Sequence, residues 1–222
     1  MKVLRALGTV LVVDLIAVFS GRLLTLQRDG FVPGSFLTHS LMLGLSVLII
    51  WMFHQRRFAD FGFTRGTYRF HPKILLWALP LAVFSLLSAF APGPSKSPGM
   101  LADWSKLQLV LFVWIYASIC EEVLTRGLLQ TLLTRRFGTA PKARRLSSPV
   151  VISALFFGAM HVVLIPSMGR AAAAPIVLTT LLGLLAGWYR ERTGSLIPAI
   201  IVHALFNVGG MLPEWIVGWV RG

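Results

Sequence analysis

LQLVLFVWIYASICEEVLTRGLLQTLLT, residues 107–134, is the stretch on which the fold turns. It is longer than the roughly 20 apolar residues that cross a bilayer. Its middle nevertheless carries Glu121, Glu122 and Arg126. Charged groups at membrane depth are expensive on every scale, so their default reading is functional. Six further apolar runs flank this one, at 6–20, 36–53, 74–91, 149–165, 171–189 and 195–213. No series of ten-residue alternating segments suggests a barrel, which leaves helices as the spanning element. The fold expected is an all-α polytopic transmembrane bundle of about seven spans. The tail 214–222, with Trp215 and Trp219, is too short to cross and is expected as an interfacial helix.

The whole chain agrees. Over 222 residues, 56% are hydrophobic and only 13% charged, with a mean hydropathy of +0.77. Soluble domains hold roughly 25% charged residues, so a water-soluble globule is excluded, as is a disordered chain. The net charge of +13 does not mark a nucleic-acid binder, because no soluble body is present to carry a basic face. It serves topology instead. The N-terminus (Lys2, Arg5), loop 54–73, loop 135–148 and loop 190–194 hold fourteen of the 21 Lys and Arg residues. The alternate side holds six, and Arg126 belongs to neither. By the positive-inside rule the N-terminus is cytoplasmic. Asp14 interrupts the first run and no A-x-A site follows it, so this run is expected as a retained helix rather than a signal peptide. The whole of 1–222 reads as one integral membrane domain, with three spans in 1–105 and a polar-bearing core in 106–213. The short loops and compact size suggest a bacterial cytoplasmic membrane. The single cysteine, Cys120, permits no internal disulfide and reads as a small packing residue.

Polar residues recur in three of the apolar runs. Besides Glu121, Glu122 and Arg126 there are Phe157 and His161 in the fifth run, and His203 and Asn207 in the seventh. Glu122 and Arg126 are four apart, on one helical face and in the favourable order for pairing. Glu121 is turned about 100° away, which leaves it available for chemistry. At 1.5 Å per residue, Glu121, His161 and His203 lie roughly 20, 18 and 12 Å from their expected cytoplasmic ends. Residues from three spans can therefore share one layer. A glutamate and a histidine can deprotonate a water held between them. A second histidine and an asparagine amide can stabilise the resulting oxyanion. The same Glu121, His161 and His203 could instead bind one divalent metal such as zinc, although no HExxH helix is present. His39, His54 and His71 lie near span ends or in loops and are expected to be interfacial or solvated. Gly183 and Gly187 form a small-xxx-small pair, expected in close helix packing.

These segments resemble the CPBP family, the intramembrane proteases related to the CAAX prenyl endopeptidase and to bacterial Abi and bacteriocin-immunity proteins. The resemblance rests on EExxxR at Glu121, Glu122 and Arg126, FxxxH at Phe157 and His161, and HxxxN at His203 and Asn207. Flanking residues agree, among them Ser153-Ala-Leu-Phe-Phe-Gly and Gly194-Ser-Leu-Ile-Pro-Ala. Thr125 departs from the pattern, since a large aromatic residue commonly precedes the arginine. The resemblance implies a membrane endopeptidase in which Glu121 and His161 activate water while His203 and Asn207 form the oxyanion site. Glu122, Arg126 and Phe157 would support them. Family members are described both as metalloproteases and as metal-independent glutamate enzymes, and the sequence fits either. The expected partners are the bilayer and a membrane protein or peptide substrate, with no nucleic acid. A non-catalytic binding or immunity protein is the alternative. A proton-coupled transporter would require two similar halves with broken helices, and no such symmetry is present.

Overall fold

The computed structural model describes residues 2–23, 32–33, 35–66, 83, 105–139 and 146–221, with side chains described up to residue 209. All secondary structure among the described residues is helical. α1 covers Lys2–Leu23, α2 Ser35–Phe53 and α3 Lys106–Phe137; α4 covers Ser148–Met160, α5 Ala173–Thr193 and α6 Ile197–Arg221. A 3-10 turn, Phe58–Phe61, follows α2, and two more, His161–Leu164 and Gly169–Ala172, lie between α4 and α5. Four helical stretches are long and apolar enough to cross a membrane: Val3–Gly21, Ser35–Phe53, Lys106–Phe137 and Ser148–Thr193. The chain thus has the helices of an integral membrane protein. Apart from residue 83, the expected third span, 74–91, lies outside the described residues, as does His71.

Local sequence sets the boundaries. Ser105 caps α3 in a reciprocal box, its hydroxyl accepting from the Gln108 amide while the Gln108 side chain accepts from the Ser105 amide. Ser147 caps α4, with Pro149 in the first turn where a missing N–H costs nothing. Gly194, at φ 72°, closes α5 in the left-handed conformation that glycine adopts freely. α5 therefore extends to Thr193, and Arg190 and Arg192 belong to its last turn rather than to a loop. The expected interfacial tail is not a separate element either. α6 continues through Pro213 to Arg221 because the apolar run resumes beyond the proline.

Two apolar cores lie on either side of α3. Val10, Val13 and Ala17 of α1 and Met42 and Ile50 of α2 pack against Leu124, Leu128 and Leu129 of α3. Phe157, Leu178, Leu182, Val202 and Phe206 join α4, α5 and α6. Outward-facing Leu4, Phe19, Phe53, Leu155 and Val177 remain exposed, as expected of side chains whose solvent is lipid. The stretch Ser148–Thr193 folds back on itself, so that α4 and α5 run antiparallel. Gly158 faces Ile176 and Thr180, Gly183 faces Ala154, and Gly187 faces Val150. A Cβ added at Gly183 would stand 2.9 Å from the Ala154 Cα, so the small-residue pair does set the approach of these helices.

Candidate active site

α3 is not an ideal α-helix. Leu109–Ala117 and Val123–Leu129 are π-helical, and only Ser118–Glu122 between them keeps α geometry. π-helical insertions are frequent at functional sites, and here they flank the two glutamates. A fully buried ion pair lies beneath the site: Arg126 Nη1 donates to Glu122 Oε1 over 3.0 Å, with both side chains at 0% exposure. The Thr125 hydroxyl donates to the Glu121 carbonyl and accepts a second hydrogen bond from Arg126 Nη1. The residue at which the chain departs from the family pattern thus helps to hold the arginine. The guanidinium lies 4.5 Å over the Phe157 ring, an additional attraction in a dry surround.

His203 joins the two carboxylates. Its Nδ1–H donates to Glu122 Oε1 over 2.9 Å, and its Nε2 stands 3.6 Å from Glu121 Oε2. Neighbouring carboxylates turned about 100° apart around a helix are thereby reached by the two nitrogens of one ring. Phe157 packs edge-on against both His203, at 5.4 Å between centroids, and His161, at 5.1 Å. The His161 Nδ1–H donates to the Phe157 carbonyl over 2.9 Å, which leaves Nε2 as the basic nitrogen of the neutral ring. His161 lies within electrostatic reach of Glu121.

Asn207 is placed differently. Its amide donates to the Val113 carbonyl and to Ser118 Oγ, both over 3.1 Å. It docks α6 one turn away from Glu121, with both N–H groups engaged.

One residue of the site escaped the sequence reading. His39, expected to be interfacial or solvated, has a side chain only 16% exposed, and its Nε2 lies 3.2 Å from Glu121 Oε1. Its Nδ1–H donates to the Ser35 carbonyl over 2.8 Å. Both ring nitrogens therefore face acceptors, and the His39–Glu121 pair holds a proton between them. That proton offsets the one negative charge to which Glu121, Glu122 and Arg126 alone sum. The cause is the docking of α2 on α3. Phe36 stacks on Tyr116 and meets Phe112 edge-on, and Ser40 hydrogen-bonds Tyr116. This contact swings the start of α2 across the middle of the longer α3. The available signal was a histidine inside an apolar run, the same feature that singled out His161 and His203.

Other placements are plainer. Asp14 is buried, with Oδ1 lacking a partner, and faces the bundle interior within electrostatic reach of Glu121. His54 lies just beyond α2 and accepts from Arg135. Cys120 is a buried free thiol. Among the described residues no three of His, Cys, Asp and Glu converge as metal ligands. The oxygens of Glu121 face His39 and His203, while His203 and His161 each donate through Nδ1 and keep Nε2 uncommitted.

Comparison with known proteins gives one match. The type II CAAX prenyl endopeptidase Rce1-like family matches residues 103–209. No curated protein and no solved structure matches the chain. The matched segment runs from just before α3 into α6 and contains Glu121, Glu122, Arg126, Phe157, His161, His203 and Asn207. Membership implies an intramembrane protease acting on a protein or peptide. Residues 103–209, with their paired glutamates and facing histidines enclosed by helices, form an Rce1-like domain of the type II CAAX prenyl endopeptidase family.

Proposed function

We propose that the chain is an intramembrane endopeptidase in which Glu121 is the general base. The observation that carries this reading is the Glu121 carboxylate itself. It is only 15% exposed within an apolar bundle and lies between two imidazoles, His39 at 3.2 Å and His203 at 3.6 Å. A carboxylate in such a place is functional by default. Glu121 takes a proton from a water that also hydrogen-bonds His161 Nε2, and the hydroxide adds to the scissile carbonyl carbon. The carbonyl oxygen becomes an oxyanion, and Nε2 of His203, when protonated, donates to it. Glu122 accepts from the other nitrogen of that ring and fixes its orientation, as a carboxylate does for the histidine of a serine-protease triad. Glu121 then returns its proton to the leaving amine as the C–N bond breaks. Asn207 joins the oxyanion site by exchanging its Ser118 hydrogen bond for one to substrate.

The substrate is a membrane-anchored protein or peptide, cut where it enters the bundle of a cytoplasmic membrane. The test compares new protein termini in membranes carrying the wild type or Glu121→Gln, with and without chelator. The expected result is a set of termini that vanishes in the variant and persists in chelator. Termini and phenotype unchanged in both Glu121→Gln and His161→Ala would leave a binding protein instead.

A further inference from the structure

At the end of the bundle remote from Ser35 and Lys106, a cavity of about 430 Å³ opens between the first turns of α1 and the last turns of α2 and α3. That volume is in the range of small-ligand pockets, about 300–1,000 Å³. Its walls are mostly apolar, Ala6, Ile49, Phe53 and Leu132, with Thr9 beside them, whose hydroxyl donates to the Arg5 carbonyl. Its rim is cationic or hydrogen-bonding: Arg5, His54 and Arg135. An apolar floor beneath a basic mouth matches a molecule with an anionic head and a hydrocarbon tail.

The rim is built rather than incidental. Arg135 Nη1 donates to His54 Nδ1 over 3.0 Å, Nη2 lies 3.4 Å from Asp60 Oδ2, and the guanidinium rests 4.8 Å over the Phe61 ring. Because His54 accepts at Nδ1, its Nε2 carries the proton and is a donor. Burial, and then the adjacent Arg135, hold the His54 imidazole below its ordinary pKa, so it remains a neutral donor. Among the described residues the carboxylate nearby is Asp60, which is also paired with Arg57 over 3.0 Å. Among the described residues, Arg5, Arg56, Arg57 and Arg135 against Asp60 leave a local excess of three positive charges. A zwitterionic headgroup would bring its own cation against these arginines, whereas a monoanionic one would not. Around the mouth, Leu4 and Phe53 are more than 70% exposed, and Arg56 lies 5.0 Å over Trp51. An exposed apolar surface meeting a stacked aromatic–arginine pair is characteristic of the lipid headgroup level.

We propose that this cavity binds one anionic phospholipid, its phosphodiester held by Arg5, Arg135 and the His54 Nε2–H and its first acyl methylenes laid against Ala6, Ile49 and Leu132. Basic pockets between transmembrane helices on the cytoplasmic side bind anionic headgroups in this way. The site joins the three helices that hold His39, Asp14 and Glu121. It requires only that the chain lie in a bilayer and does not depend on the hydrolase reading.

The test uses the full chain reconstituted in nanodiscs of equimolar phosphatidylglycerol and phosphatidylcholine, with retained lipid counted by native mass spectrometry. One retained phosphatidylglycerol per chain is expected. Arg5→Gln and Arg135→Gln should each lower its occupancy constant about fivefold, the effect of roughly one basic side chain at a lipid headgroup. Ala6→Phe fills the cavity without changing charge and should abolish retention; Leu132→Phe repeats that test from the opposite wall should the first variant fail to fold. Arg65→Gln, which removes a charge outside the cavity, should leave retention unchanged. Inorganic phosphate alone should not raise the thermal midpoint, whereas phosphatidylglycerol should. Retention of phosphatidylcholine to the same extent, equal losses in Arg65→Gln and Arg135→Gln, retention surviving both Phe substitutions, or stabilisation by phosphate alone would each overturn the proposal. Because every readout is lipid binding, a chain without protease activity can still pass, and an active one can still fail.

Discussion

Replacing Arg126 by methionine tests the electrostatic foundation of the site. The guanidinium lies 3.0 Å from Glu122 Oε1 with neither side chain exposed. With an effective dielectric constant of about 20, two unit charges at that distance attract by about 5.5 kcal/mol. The thioether keeps much of the volume but leaves Glu122 charged, buried and held only by His203. Breaking a buried pair from one side costs about 3–5 kcal/mol, whereas replacing both partners by neutral groups is far milder. Arg126→Met should therefore lower the unfolding free energy by about 3–5 kcal/mol. The double variant Glu122→Gln/Arg126→Met should recover about 2 kcal/mol or more of that loss, since no unpaired charge remains and glutamine still accepts from His203. Arg126→Lys should fall between, because it keeps the charge but loses the forked geometry and the stacking on Phe157. Denaturant unfolding in mixed micelles, followed by near-UV circular dichroism, measures these chains together with Glu122→Gln, the second single variant, which closes the double-mutant cycle. A loss below about 1 kcal/mol in Arg126→Met, or a double variant as unstable as the worse single one, would refute the reasoning.

The other predictions follow from individual contacts. His39→Ala removes the imidazole on Glu121 Oε1 and should lower the cleavage rate by at least about tenfold through misplacement of the base; full activity in single-turnover assays would contradict a role for it. Glu121→Gln should lower cleavage by about 10²–10⁴-fold while the fold persists, which quantification of product termini decides. Gly183→Ala places a Cβ 2.7 Å from Arg126 Nη2 and 2.9 Å from the Ala154 Cα. Backbone must move, and a loss of about 1–3 kcal/mol is expected in the same unfolding assay. His54 has its pKa lowered in the folded state, so the unfolded chain binds more protons as pH falls below about 6.5. Wild-type stability should therefore decline through that range. His54→Gln should show a shallower decline, and identical pH profiles would show that the folded chain does not hold His54 below its ordinary pKa.

Much of the fold is legible because lipid imposes one rule on the chain. Backbone polar groups must be satisfied internally, so long apolar runs become helices wherever they occur. This locates α1 to α5, and the start of α6, within about five residues and explains why Glu121, Glu122, His161 and His203 stand out. The spacing of four also anticipates the Glu122–Arg126 pair, since i,i+4 neighbours share a face whatever the tertiary context. End effects are less legible: capping by Gly194 carries Arg190 into α5, and α6 passes through Pro213, both contrary to expectation from charge and length.

The site divides along the same line. Local composition and spacing alone determine which residues are too polar for a membrane interior and which of them pair within one helix. Which helices meet depends on side-chain packing between segments far apart in the chain, and no periodicity encodes it. Packing of Phe36 and Ser40 against Tyr116 brings His39 to Glu121. The approach of α6 places one imidazole across two carboxylates and turns Asn207 toward Val113 and Ser118 instead. Hydrophobic pattern and charge specify a helix and its polar stripe, but the rotation and depth of each helix against its neighbours are set by contacts that exist only once the bundle has closed.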